Sequence, residues 1–320
     1  GIANRRSATF SDAQGLNSAT RLERFVVTRV RDYSFARITG ETIQATEGNA
    51  DAFLKYATME IDGAIKSLTG SLAVAMYGDG SGKLGDIKTG GLSANTNGTG
   101  RTIELENAES VTNFEVGMTL KFVQSLAHAP RAATFEITSV DRDTGILTGT
   151  IANSANAAAD TDFLVQLGDY AHAGGDANGN PLKLAGLESW IPAGTPANLF
   201  GVTRTTDRTR LAGVPFDGSS QPIEEALTGA ASRLAREGGS PDVCLMDFTQ
   251  FNNLEKALGS KVVYDKVSSD DADIGFQALT IIGPKGPIKI VADQNCTPIV
   301  AYMLQMDTWP LSSLGPAKKS

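Results

Sequence analysis

A chain of 320 residues, 41% hydrophobic and 20% charged, is long enough to bury two or three cores, and this composition excludes a disordered chain. Its net charge of −8 excludes tight nonspecific nucleic-acid binding as a main role, because such binding depends on neutralising phosphates. No apolar run approaches the ~18 residues that span a bilayer, and no signal-peptide pattern or fixed-period repeat is present.

The charge is uneven. The first 37 residues carry seven arginines (Arg5, Arg6, Arg21, Arg24, Arg29, Arg31 and Arg37) against Asp12, Glu23 and Asp32, a balance of +4, so the remainder carries −12. Within this stretch, 7–10 (Ser-Ala-Thr-Phe) and 24–30 (Arg-Phe-Val-Val-Thr-Arg-Val) are predicted as two strands around a polar tip at 11–20. A hairpin with so little apolar content is marginal in water and must rest on the body or on a neighbour. Arg5, Arg6, Arg21, Arg24, Arg29 and Arg31 are the candidate contact residues, suited to an acidic surface such as that of another copy of the chain. A solvated strand face accounts for the same residues in plainer terms.

The spacing next predicts a helix over 50–77. Leu54, Ala57, Ile61, Ile65, Leu68, Leu72 and Met76 recur at steps of three and four, Asn49 stands at the N-cap, and Asp51 favours the first turn. Gly78 is expected to close it in the left-handed conformation. A helix of about 28 residues is more than twice the usual length, and Gly63 and Gly70 each cost it about 1 kcal/mol, so packing must hold it along much of its length.

Gly78-Asp79-Gly80-Ser81-Gly82-Lys83 superficially resembles a phosphate-binding loop. The spacing does not fit: Tyr77 stands where the first glycine belongs, Leu84 replaces the magnesium-binding hydroxyl, and the loop closes a helix instead of opening one.

Residues 86–100 (DIKTGGLSANTNGTG) read as a boundary. Short strands are predicted at 102–105, 118–123, 134–140, 145–151 and 163–167, which make a small β-barrel or sandwich over 101–168, inserted between helical regions. Asp176-Ala-Asn-Gly-Asn180 is rich in oxygen ligands, but its glycine does not fit a calcium loop, and it reads as a turn. From 186 onward, Ser220-Gln-Pro222 opens a helix ending at Gly238-Gly239. A strand at 243–246, a helix capped by Asp247 and closed by Gly259, a hairpin over 278–292 and strands at 299–304 and 308–311 follow, interleaved without a parallel βαβ rhythm, so the class is α+β. Cys244 and Cys296 read as buried small hydrophobes, and His128 and His172 lack metal-ligand spacing. No catalytic motif, metal site or cofactor site is read from the chain, so it is expected not to be an enzyme.

Several blocks carry a resemblance: Arg6-Ser-Ala-Thr-Phe10, Thr28-Arg-Val-Arg-Asp-Tyr33, the run from Gly48 through Glu60-Ile-Asp-Gly63 to Met76-Tyr-Gly-Asp-Gly-Ser-Gly82, Gly283-Pro-Lys-Gly-Pro-Ile-Lys-Ile290, and Tyr302 through Trp309 to Gly315. The chain resembles the major capsid proteins of tailed bacteriophages, with the Hong Kong 97-type fold. The resemblance implies an α+β capsid fold with a long spine helix, an extended E-loop hairpin and an inserted small β domain. Residues 1–47 are then the hairpin and its foot, with the N-terminal arm incomplete through maturation cleavage or truncation. Residues 48–100 are spine helix and linker, 101–168 the inserted β domain, 169–220 peripheral domain, 221–305 axial domain and 306–320 the return to the peripheral domain. It implies a structural subunit that self-assembles into pentamers and hexamers, an icosahedral shell around double-stranded DNA. Expected partners are copies of itself, DNA on the inner face without sequence specificity, and portal, scaffold or decoration proteins, with no membrane. The expected location is the virion, after assembly in the host cytoplasm. The alternative is an encapsulin-type nanocompartment shell, similar in fold, that packages cargo enzymes.

Overall fold

The computed structural model describes residues 7–15, 23–45, 50–153, 158–170, 182–258 and 279–311. Asn49, His172, the 176–180 turn, Gly259, and Arg5, Arg6 and Arg21 lie outside them. The elements in chain order are helices α1 (Phe10–Gly15), α2 (Gly40–Ala45) and α3 (Ala50–Tyr77); strands β1 (Lys83–Leu92), β2 (Gly98–Leu105), β3 (Thr119–Val123), β4 (Thr134–Asp141), β5 (Ile146–Ala152) and β6 (Phe163–Gln166); the short helices α4 (Leu187–Trp190) and α5 (Arg208–Leu211); α6 (Ile223–Arg236), β7 (Val243–Met246), α7 (Phe248–Leu258), β8 (Leu279–Gly283), β9 (Gly286–Ala292) and β10 (Ala301–Leu304). Helix and sheet are mixed, as an α+β chain requires.

The two strands expected at 7–10 and 24–30 are not formed. The Thr9 side chain accepts from the Asp12 backbone N–H (3.3 Å) and donates to the Asp12 carboxylate (2.6 Å). This local cap starts the α1 turn and competes with any strand there. Residues 23–39 run without a ladder. They are fixed instead by packing of Phe25 on Trp190, with centroids 5.2 Å apart, and by the Val26 N–H, which donates to the Phe200 carbonyl at 3.2 Å.

α3 occupies the predicted residues. Gly78 continues it, donating to the Val74 carbonyl. The left-handed residues are Gly80 and Gly82, at φ 88° and 76°. The described residues do not supply the expected packing along the helix: among residues 51–77 only Tyr77 is buried, while Leu54, Ile61, Ile65, Leu72 and Met76 are exposed.

The six strands β1–β6 close into an antiparallel barrel in the order β1-β2-β5-β4-β3-β6. Closure leaves no sheet edge to template another chain. Alternate residues point inward, and Ile103, Phe114, Leu120, Phe122, Phe135, Leu147, Ile151 and Leu164 fill the interior. Residues 86–100, read as a boundary, hold most of β1 and the start of β2, so the β unit begins at Lys83. β1 escapes the apolar pattern because two of its buried positions are glycines. A Cβ on Gly85 would meet the Phe114 ring at 3.4 Å, and one on Gly91 would lie 2.8 Å from the Glu104 carbonyl oxygen. The Arg131 guanidinium binds the buried Asp162 carboxylate through two hydrogen bonds of 2.6 and 2.9 Å, a pairing geometry that suits a desolvated site.

The second body is a four-stranded sheet of order β10-β7-β9-β8, in which α6 and α7 join the strands in a single core of Leu227, Ala231, Met246, Leu254 and Ile290. β7 and β9 are parallel, and the other two pairs are antiparallel. Asp247 caps α7 as predicted, accepting from the Gln250 N–H at 2.7 Å, and its other oxygen accepts from the Ile299 N–H at 2.8 Å. The strand expected at 308–311 is replaced by a 3-10 turn at Met306–Thr308, where the Met306 N–H donates to the Asp242 carboxylate at 2.9 Å. Cys244 and Cys296 are free and buried, as read from the sequence.

Truncating Phe122, fully buried in the barrel, to alanine is expected to cost about 3–5 kcal/mol, read as a lower urea midpoint. An unchanged midpoint would mean that the barrel interior is not packed as described.

Candidate assembly surface

The C-terminal turn of α3 is built into the body of the chain. The Tyr77 hydroxyl donates to the Asp293 carboxylate at 2.9 Å, and its ring lies 6.0 Å from that of Tyr302. Leu187, Cys296 and Leu304 complete this cluster. Gly186 crosses so close above the helix end that a Cβ would sit 2.3 Å from the Met76 carbonyl oxygen. Only glycine permits this approach. Nearby, the buried Arg204 guanidinium donates to the Ser189 and Ala197 carbonyls at 2.7 and 2.8 Å, tying the loops after α4 together.

Nearly two turns before Tyr77, at Ser71, α3 meets the extended 23–39 segment. Asp32 accepts from the Ser71 hydroxyl at 2.6 Å and from the Lys183 ammonium at 2.8 Å. Lys183, whose side chain is 10% exposed, also lies 3.0 Å from the Asp169 carboxylate. Burial pushes the Asp32 carboxyl up, but the Lys183 and Ser71 hydrogen bonds outweigh it and the net shift is downward. Burial pushes Asp169 up, and the Lys183 charge offsets this only in part. Burial opposes the Lys183 charge, yet the two carboxylates hold its pKa above the ordinary lysine value.

Outward from this cluster the surface is both basic and apolar. Arg24, Arg29 and Arg31 are exposed and make no ion pair with the described residues. Val26, Val27, Tyr33 and Phe35 of the same segment are exposed beside them, Phe35 at 89%. The α3 stripe is exposed too. Contiguous apolar surface on this scale marks an interaction site. Sequence periodicity placed the α3 residues on one stripe, and what it missed is that the stripe has no cover within the described chain. It also missed Lys183, which stands 151 residues from Asp32.

The glycine loop after α3 is not built for phosphate. The Asp79 carboxylate takes both the N–H and the hydroxyl of Ser81, and Lys83 pairs with Asp86 at 2.7 Å. An anion placed there would meet fixed negative charge. Glu188 lies beside this loop; burial first, then the Asp79 charge, raises its carboxyl above the ordinary value. His128 is held by Ser125, with Nδ1 2.7 Å from the hydroxyl. Among the described residues no helix is long and apolar enough to cross a membrane.

A well-cored chain whose longest helix and basic segment remain uncovered defines a class: a structural subunit that is completed by other protein. A family model described as SU10 major capsid protein matches residues 160–320, half of the chain. The chain therefore belongs to this family of bacteriophage major capsid proteins: it is a structural capsid subunit of the virion that assembles with copies of itself. No curated protein gives a significant match. The family match begins just before β6 and takes in the four-stranded sheet, leaving α3 and strands β1–β5 outside it.

The shifted carboxyls set a pH profile. Asp32 is depressed, so its contribution is present above the ordinary carboxylate pKa of ~3.9 and is lost as pH falls below it. Asp169 and Glu188 are raised, so their contribution is present at acid pH and is lost as pH rises through their folded values. The urea midpoint of the unassembled subunit is expected to peak on the mildly acid side of neutrality and to fall below about pH 4. Glu188→Gln should raise the neutral-pH midpoint and flatten that side of the peak. An unaltered profile in this variant would contradict the assignment.

Proposed function

We propose that the chain is the shell-forming subunit of a Hong Kong 97-type capsid, assembling into hexamers and pentamers of an icosahedral particle that encloses double-stranded DNA. The observation that carries this reading is the exposed α3: 28 residues with a repeating apolar face and, after its first residue, one buried side chain, Tyr77. A helix of this length draws most of its stability from packing, so its cover comes from other subunits. In this reading α3 is the spine helix, the 23–39 segment belongs to the extended loop over residues 1–47, the barrel from Lys83 through 168 is an inserted domain, residues 169–220 and 306–320 form the peripheral domain, and the β7–β10 sheet with α6 and α7 is the axial domain.

Contacts in such a shell are heterologous: one patch meets a different patch, and the rotation closes rings of five or six. Covering Leu54, Ile61, Ile65 and Leu72 yields about 1.5–3 kcal/mol each when burial is complete, and many modest contacts add through multivalency. Arg5, Arg6, Arg21, Arg24, Arg29 and Arg31 reach toward the acidic surface of the adjoining copy, since the rest of the chain carries the excess negative charge. DNA lies on the inner face without sequence readout, and portal, scaffold or decoration proteins complete the particle, which assembles in the host cytoplasm. No residue of the chain is assigned a catalytic role.

Sedimentation velocity with electron microscopy of the fast fraction is expected to show uniform closed shells containing DNA when particles are isolated from infected cells. Protein cargo in place of DNA would move the reading to a nanocompartment shell. A species no larger than a small oligomer, from chains with and without further N-terminal residues, would contradict it.

Ile61→Asp combined with Ile65→Asp should leave the urea midpoint of the subunit within about 0.5 kcal/mol of the parent, as exposed sites do, and should abolish particles. Particles of normal yield would show that this face of α3 is not an assembly surface.

A further inference from the structure

Two contacts tie the segment 23–39 to the described body at named groups. The outer one is apolar, Phe25 on Trp190 with the Val26–Phe200 backbone bond. The inner one is ionic, Asp32 on Ser71 of α3 and on Lys183. Beyond Asp32, Tyr33 and Phe35 are exposed.

The ionic point has an unusual stoichiometry, with one ammonium serving two carboxylates from different parts of the chain. Asp32 comes from the segment, and Asp169 comes from the end of the barrel. Removing one partner from a buried ion pair normally leaves an uncompensated charge, which is strongly destabilising. That penalty does not arise here. If Asp32 departs, Lys183 keeps Asp169 at 3.0 Å and Asp32 becomes solvated. While Asp32 is docked, the two carboxylates repel each other across the same lysine.

We propose that Lys183 and Asp169 form an exchange latch that lets the segment around Asp32 lift off α3 and re-dock without breaking the body of the subunit. Asp169 acts as the stand-in partner that lowers the cost of release. The segment is thus held in one of two states, docked on its own helix or free to lie on another surface, with its exposed arginines and aromatics available in the second. This rests on the side-chain cluster and not on the shell reading, so the latch stands or falls independently of it.

The test uses the full chain before assembly. Nitroxide labels go on Val27→Cys and Lys66→Cys, two exposed positions on the segment and on α3; the native cysteines are buried, with the Cys244 thiol pushed up to about 12 by burial, so labelling is confined to the added sites. Double electron–electron resonance then follows the label separation during a sodium chloride titration, which screens the Asp32 contact. The parent is expected to convert from a narrow, docked distribution to a broad one as salt rises. Asp32→Asn should favour the broad state by about tenfold to a hundredfold, the range of one hydrogen bond to a charged group, while the body stays folded. Asp169→Asn should act in the opposite direction, moving the midpoint of release to higher salt, because release now strands the lysine. Should Asp32→Asn fail to fold, Ser71→Ala removes the hydroxyl that donates to Asp32, and with it an acceptor that Lys183 uses in either state of the segment, and carries the same direction. A purely structural cluster predicts that both carboxylate variants loosen the segment. An Asp169→Asn midpoint equal to or below the parent's, or an Asp32→Asn distribution that stays docked, overturns the latch.

Discussion

α3 is attached to its own chain at one end. Tyr77, the passage of Gly186 over the Met76 carbonyl and the Asp32–Ser71 contact all fall within its last two turns. The preceding stretch, on the order of 30 Å at 1.5 Å per residue, presents its apolar side outward. Two internal glycines weaken the helix further, and no Cβ-sized neighbour stands near either of them. A helix under these conditions gains stability from whatever covers its apolar face. The barrel, by contrast, closes on its own core, and the four-stranded sheet has its own two helices. Among the described residues the subunit therefore divides into parts that cover their own apolar surface and parts that leave it exposed, and the second kind lies on the N-terminal side.

The Lys183 cluster sits where these parts meet. It links the basic segment, the long helix and the barrel exit through one ammonium group. Its charges are partly shielded, so salt weakens it less than an exposed pair but does not leave it untouched. A contact of that strength suits a segment that must be positioned before assembly and repositioned during it. Tighter fixing would require apolar burial, and around Asp32 the segment leaves Tyr33 and Phe35 exposed instead.

Much of the architecture was readable because periodicity reports local geometry. The 3.6-residue stripe placed α3 at its observed residues, and alternation located β2 through β6 and β7. Asp247 was readable as a cap because a carboxylate before an apolar helix has few other roles. The failures share a cause, which is that a distant group decides the outcome. β1 carries glycines at two inward positions because the Phe114 ring and the Glu104 backbone already fill that space, and no local pattern reveals an absent side chain. The Thr9–Asp12 cap overrode a weak strand pattern. The stripe on α3 was read correctly as a face, yet its burial depends on molecules other than this one. Of the candidate arginines, Arg24, Arg29 and Arg31 are exposed, while Asp32, the acid set among them, pairs with the body. Its partners Ser71 and Lys183 are brought to it only by the fold.

Amide hydrogen exchange across residues 54–72, compared between free subunits and assembled particles of the same protein, addresses the role of α3 most directly. Coverage of its apolar face by a neighbouring copy predicts slow exchange in particles and fast exchange in free subunits, with the barrel strands unchanged between the two. Equal exchange of this helix in both forms would contradict the account.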